Sequence, residues 1–91
     1  MKSQNVTVVC EHGLHLRVAS KVSKIVRKSG ASVSILCADC PKIDACSVFQ
    51  LLAMGATAGT SLEIEVEART EKKASTVLRA LTDAFEQGGG I

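Results

Sequence analysis

The chain has no tryptophan and no tyrosine, and only two phenylalanines among 91 residues. Its core must therefore be assembled from Val, Leu, Ile, Ala and Met. Aromatic platforms on which single-stranded nucleic acids stack are excluded. A strong excess of one charge is also missing: 11 basic and 9 acidic side chains leave a formal charge of +2. That gives no basic stripe of the kind that marks a nucleic-acid-binding face. No window holds the roughly 18 apolar residues that read as a membrane span, so no membrane insertion is expected. The N-terminus has no apolar segment of the secretory type, and a cytoplasmic location is the expectation. In that compartment the four cysteines, Cys10, Cys37, Cys40 and Cys46, are expected to be reduced thiols.

What remains is enough for one domain, residues 1–91, with an apolar fraction of 46% and length for a single core. Residues 5–10, NVTVVC, are short, β-branched and apolar and read as a strand. A polar turn, Glu11-His12-Gly13, follows. From His15 to Lys28 the period becomes helical: Ala19, Val22 and Val26 form a stripe flanked by Val18 and Ile25, opposite Ser20, Lys21, Lys24, Arg27 and Lys28. Ser29-Gly30 ends that helix, with basic residues in its last turn.

Ser32–Cys37 alternates as a second strand, Ala38-Asp39-Cys40-Pro41 reads as a turn, and 42–45 as a short edge strand. Ser47 suits the N-cap of a short helix in which Val48, Leu51 and Leu52 share a face, ended by Met54-Gly55. After the turn Ala58-Gly59-Thr60, Leu62, Ile64, Val66 and Ala68 alternate with Ser61, Glu63, Glu65 and Glu67. This predicts a strand with one buried face and one wet, acidic face. Thr70 is placed to cap a last helix whose Ala74, Val77, Leu78, Leu81, Ala84 and Phe85 recur at helical spacing. Residues 87–91 read as a flexible tail. The order β-α-β-β-α-β-α predicts an α+β fold with helices on one face of an antiparallel sheet.

Both histidines lie in "CEHGLHLRVA", residues 10–19, at the first strand-to-helix junction. The first turn of a helix offers unpaired N–H groups and the positive end of the dipole, which suit an anion. Gly13 allows a tight turn. His15 falls at the helix start and Arg17 inside its first turn. A neutral imidazole nitrogen there can attack a phosphoryl group. Arg17 and the first-turn amides would hold the transferred charge. The same positive surroundings favour the neutral, nucleophilic form of His15. The alternative is a pair of exposed polar residues in a loop.

The stretch "GLHLRVA", with this element order, resembles the HPr phosphocarriers of the phosphoenolpyruvate:sugar phosphotransferase system, whose motif is Gly-Leu-His-Ala-Arg-Pro-Ala. A second block, "CSVFQLLAMGATAGTSLEIEVEA", resembles the family's Lys-Ser-Ile-Met-Gly-Leu-Leu stretch and the turn and strand that follow it. The resemblance runs over residues 4–86. It implies an open-faced β-sandwich, a four-stranded antiparallel sheet covered on one face by three helices. It further implies that His15 accepts phosphate on Nδ1 from Enzyme I and passes it to an enzyme IIA, with Arg17 steadying the phosphoryl group. Such a protein is a relay and not an enzyme, needs no cofactor, and works as a monomer. Three positions depart from the pattern: Val18 replaces the proline, Leu16 the small residue after the histidine, and His12 an asparagine common in the family. Such departures suit a nitrogen-related or regulatory branch.

By the same resemblance Ser47 aligns with the serine that an HPr kinase/phosphorylase modifies in some bacteria. The plain alternative is a helix cap. Val48, Phe49 and Leu52 follow, and a short helix cannot bury all its apolar side chains, so an exposed apolar patch is expected. The resemblance assigns Enzyme I and IIA docking to these three together with Leu16, Arg17, Ser20 and Lys24, whose basic character suits an acidic partner. An alternative function is a regulatory binding module whose phosphorylation state selects protein partners. A third reading takes the C-x-x-C of Cys37 and Cys40, with Cys46, as a metal or redox site. Small βαββαβ metal chaperones carry that motif in the first β-to-α loop, where this chain has its histidines. The cysteines therefore read as small apolar side chains and a turn residue, with no metal.

Overall fold

The computed structural model describes residues 2–8, 16–37, 40–54 and 59–86, the side chains of Cys40 and Pro41 excepted. The elements are β1 (Lys2–Thr7), α1 (Leu16–Ser29), β2 (Ser32–Cys37), β3 (Cys40–Asp44), α2 (Val48–Ala53), β4 (Ser61–Glu67) and α3 (Glu71–Glu86). The order is the expected β-α-β-β-α-β-α. One sheet holds all four strands in the order β1-β4-β2-β3, and every neighbouring pair is antiparallel.

The alternation of β4 explains the two layers. Leu62, Ile64 and Val66 are buried on one side, under α1 and α3, while Glu63, Glu65 and Glu67 face away from the core. Lys42 on β3 reaches across that open face to Glu65, Nζ to Oε1 3.2 Å. On the helix side the core joins Val18, Ala19, Val22 and Val26 of α1, Val33 and Ile35 of β2, and Leu51 of α2. All six apolar positions expected to face inward from α3, Ala74, Val77, Leu78, Leu81, Ala84 and Phe85, do so. Two hydroxyls are buried with them and satisfied by carbonyls: Ser23 Oγ donates to the Cys46 carbonyl at 2.7 Å and Thr82 Oγ1 to that of Leu78 at 2.8 Å. Neither residue stood out in the sequence, because a hydroxyl gives no apolar signal.

Helix ends follow the chemistry of the chain. Thr70 caps α3, its Oγ1 accepting from the Lys73 amide at 3.1 Å. Gly30 takes a left-handed φ of 72° after α1, a conformation open to glycine without steric cost. Gly59, at φ 90°, does the same before β4 and donates its amide to the Val8 carbonyl at 2.7 Å.

Three expectations need correction. The first strand runs over Lys2–Thr7, not 5–10, because the ladder to β4 pairs Lys2 with Val66 through Thr7 with Ser61. Backbone pairing thus takes in a polar stretch, Lys2–Asn5, that strand propensity passes over. The edge strand β3 begins at Cys40, so Cys40 and Pro41 lie in a strand and not in a turn. An edge strand tolerates proline, whose missing N–H need not meet a neighbour. Finally, Cys37 is disulfide-bonded, against the expectation of reduced thiols, and Cys46 is free. The β2–β3 register sets Cys37 opposite Cys40, a separation within reach of a disulfide. The turn residues 11–13, Cys10, Ala38, Asp39, Gly55, Ala58 and the tail 87–91 lie outside the described residues.

Candidate functional site

The junction singled out by the sequence opens onto α1. His12, Gly13 and His15 lie outside the described residues. α1 begins at Leu16, directly after them in sequence, and has no acidic side chain in its first turn. Val18 takes the place of the family proline within that turn and is buried in the core, so a packing anchor stands where proline would preset the backbone. Arg17 is exposed there. Leu16 beside it is 63% exposed, which leaves an apolar side chain in water at the start of the helix.

One stripe of α1 continues from Arg17. Ser20, Lys24 and Arg27 follow it at three-, seven- and ten-residue steps, which share a helix face. All four are exposed. Opposite stands α2. Ser20, Ser23, Lys24, Arg27, Lys28 and Val48 line one shallow hollow between the two helices, of about 340 Å³. Arg27, Asp44, Cys46, Ser47, Val48 and Phe49 line a second. Arg27 Nη2 donates to the Cys46 carbonyl at 3.5 Å, and the Ser23 hydroxyl donates to the same carbonyl. These two bonds tie the loop before α2 to α1. The two helices therefore present one surface that is basic on α1 and apolar on α2.

α2 is short and its side chains divide by face. Leu51 is buried, Val48 and Leu52 are half-buried against the core, and Phe49 is 87% exposed. The expected apolar patch thus consists of Phe49 on α2 and Leu16 on α1. Leu52 packs inward and lines neither hollow. Ser47 is half-exposed and caps α2: its backbone is extended, at φ −97° and ψ 113°, and its Oγ accepts from the Gln50 amide at 3.2 Å. Asp44 fastens the same loop by accepting from the Cys46 amide at 2.9 Å, while Gln50 Oε1 accepts from the Asp44 amide at 2.9 Å. Arg27 was read in the sequence only as part of a polar face. Its spacing from Arg17 was the available signal for its place on this surface.

Among the described residues no three His, Cys, Asp or Glu side chains come together as metal ligands. Nor is any helix among them long and apolar enough to cross a membrane.

Comparison with known structures places the fold. The histidine-containing phosphocarrier protein of a Mycoplasma superposes with a TM-score of 0.83 at 19% identity, over 97% of this chain and 96% of that one. HPr from Thermoanaerobacter tengcongensis gives 0.84 at 24%, over 100% and 98%. The phosphocarrier protein HPr of Bacillus anthracis gives 0.81 at 21%, over 92% and 95%. At such identities the likeness establishes the open-faced sandwich. No curated protein matches the chain. The sequence itself matches the family model described as the PTS HPr component phosphorylation site over residues 2–87, nearly its whole length. The chain belongs to the HPr family of the phosphotransferase system.

Proposed function

We propose that this protein is a phosphocarrier that takes a phosphoryl group onto His15 from Enzyme I and delivers it to an enzyme IIA. The observation that carries the reading is Arg17. It stands exposed in the first turn of a 14-residue helix that has no acidic residue there, two positions after His15 in the sequence. The helix amides and the guanidinium are donors of the kind that a phosphoryl group takes.

In the transfer, Nδ1 of His15 attacks phosphorus, a new N–P bond forms and the bond to the donor breaks, returning its electron pair to the donor. The reverse steps load the IIA partner. The chain supplies no metal and no cofactor. It is a substrate of its partners and not an enzyme. Partner docking uses Leu16, Arg17, Ser20, Lys24, Val48 and Phe49, with Phe49 and Leu16 as the apolar anchors and the α1 cations steering an acidic surface. A free docking face suits a cytoplasmic monomer.

A second reading has its own observation. Ser47 is half-exposed and shares a hollow with Arg27 and Phe49. Phosphorylation by an HPr kinase/phosphorylase would place a charge of roughly −1.5 to −2 beside the apolar anchor, and the protein would then act as a module that selects partners by its phosphorylation state.

Phosphorus NMR of the product formed with Enzyme I and phosphoenolpyruvate separates the two. An acid-labile phosphoramidate signal supports the carrier. An acid-stable phosphomonoester, formed only with a protein kinase and ATP, favours the regulatory module.

A further inference from the structure

A second group of cations and hydroxyls lies on β1 and α3, elements that the phosphocarrier reading does not use. Residues directly opposite in an antiparallel ladder share a sheet face. Lys2 faces Val66, Gln4 faces Ile64 and Val6 faces Leu62, and the three β4 residues are buried beneath the helices. Lys2, Gln4 and Val6 therefore occupy helix-side positions of β1. A strand covered on one face is normally apolar at such positions, yet two of the three are polar.

α3 packs against this edge and completes a groove of about 590 Å³ lined by Lys2, Ser3, Gln4, Ser75, Thr76, Leu78 and Arg79. That volume is in the range of small-molecule sites, roughly 300–1,000 Å³. Among the described residues no carboxylate lines it. The acids of β4, Glu63, Glu65 and Glu67, belong to the opposite sheet face. Lys2 is half-buried, and neither it nor Arg79 is ion-paired among the described residues, where the one ion pair joins Lys42 and Glu65. The Thr76 hydroxyl proton is committed to the Lys72 carbonyl at 2.9 Å. The donors left are the Lys2 ammonium, the Arg79 guanidinium, the Gln4 amide and the Ser75 hydroxyl. The floor is apolar, supplied by Leu78.

We propose that this groove binds a small organic phosphate, its dianionic head between Lys2 and Arg79 and its carbon skeleton over Leu78. Two cations without an ion-pair partner among the described residues match a dianion in charge. The guanidinium offers the fork geometry of phosphate recognition and the ammonium a point charge. Ser75 and Gln4 supply the neutral donors.

The test is an amide NMR titration of the whole chain with glycerol 3-phosphate and, separately, inorganic phosphate, against sodium chloride at equal ionic strength. The expected result is saturable shifts at Lys2, Gln4, Ser75 and Arg79, with the ester bound more tightly than inorganic phosphate. Arg79→Gln and Lys2→Gln, both at the surface, each weaken binding about tenfold or more, as loss of a charge-assisted hydrogen bond should. The His15→Ala variant binds unchanged, which separates this groove from the phosphoryl site. Four results overturn the proposal: shifts reproduced by chloride, inorganic phosphate bound as well as the ester, binding indifferent to Arg79→Gln in a variant with native spectra, or shifts centred on Leu16–Val18.

Discussion

Phe49→Ala separates docking from folding. The ring is 87% exposed in the free protein, so its removal leaves no cavity. Folding stability should change by no more than about 0.5 kcal/mol. A phenylalanine side chain carries roughly 150–250 Å² of surface. At 87% exposure, roughly 130–220 Å² of that is open to a partner. Covering it at ~25 cal/mol/Å² gives about 3–5 kcal/mol before association costs. Alanine keeps part of that contact and ordering the ring offsets more. The expected net loss is about 1–3 kcal/mol, roughly tenfold to a hundredfold in Kd. Calorimetric titration with Enzyme I, beside urea unfolding of both proteins, reads the two effects together. Phe49→Leu should recover much of the affinity. An unchanged Kd would refute the docking surface. A fall in the urea midpoint with no change in Kd would show that Phe49 serves the fold.

Other expectations follow from single contacts. Thr70→Ala removes the acceptor for the Lys73 amide and should cost about 1 kcal/mol in urea unfolding; no change would mean water caps α3 as well. Phe85→Ala empties a fully buried site between α3 and the sheet and should cost about 3–5 kcal/mol; a loss below about 1 kcal/mol would contradict the core as described. Iodoacetamide on the unreduced, folded protein should modify Cys46, which is free and half-exposed, and leave Cys37 untouched until a reductant is added. Peptide mapping reads both sites, and alkylation of Cys37 without reductant would contradict its disulfide.

The parts of the fold that were legible in advance are those where burial follows a period. α3 shows its apolar stripe over about three turns, and β4 alternates without a break, so both emerge with the expected faces. β1 was misplaced because its first residues are polar and their pairing is fixed by β4, a neighbour far along the chain. Ser23 and Thr82 were passed over because each buries a hydroxyl on a carbonyl, Cys46 in one case and Leu78 in the other. The docking surface was half legible. That a six-residue helix must expose something apolar follows from its length. Which side chain it exposes depends on how Leu51 enters the core, and that turns Phe49 outward and draws Leu52 in. Arg27 belongs to this surface through the Cys46 carbonyl, a contact 19 residues away along the chain that no local pattern announces. Cys37 is the position where compartment reasoning and local geometry disagree: a reducing environment argues for a thiol, while the hairpin register brings a second cysteine opposite.

A phosphohistidine at position 15 can be weighed as an intact protein. Wild type and His15→Ala are incubated with Enzyme I and phosphoenolpyruvate and weighed before and after acid. Wild type should gain one phosphoryl group and lose it in acid, and the variant should gain none. No gain in wild type with a competent Enzyme I, or an acid-stable gain that persists in His15→Ala, would contradict it.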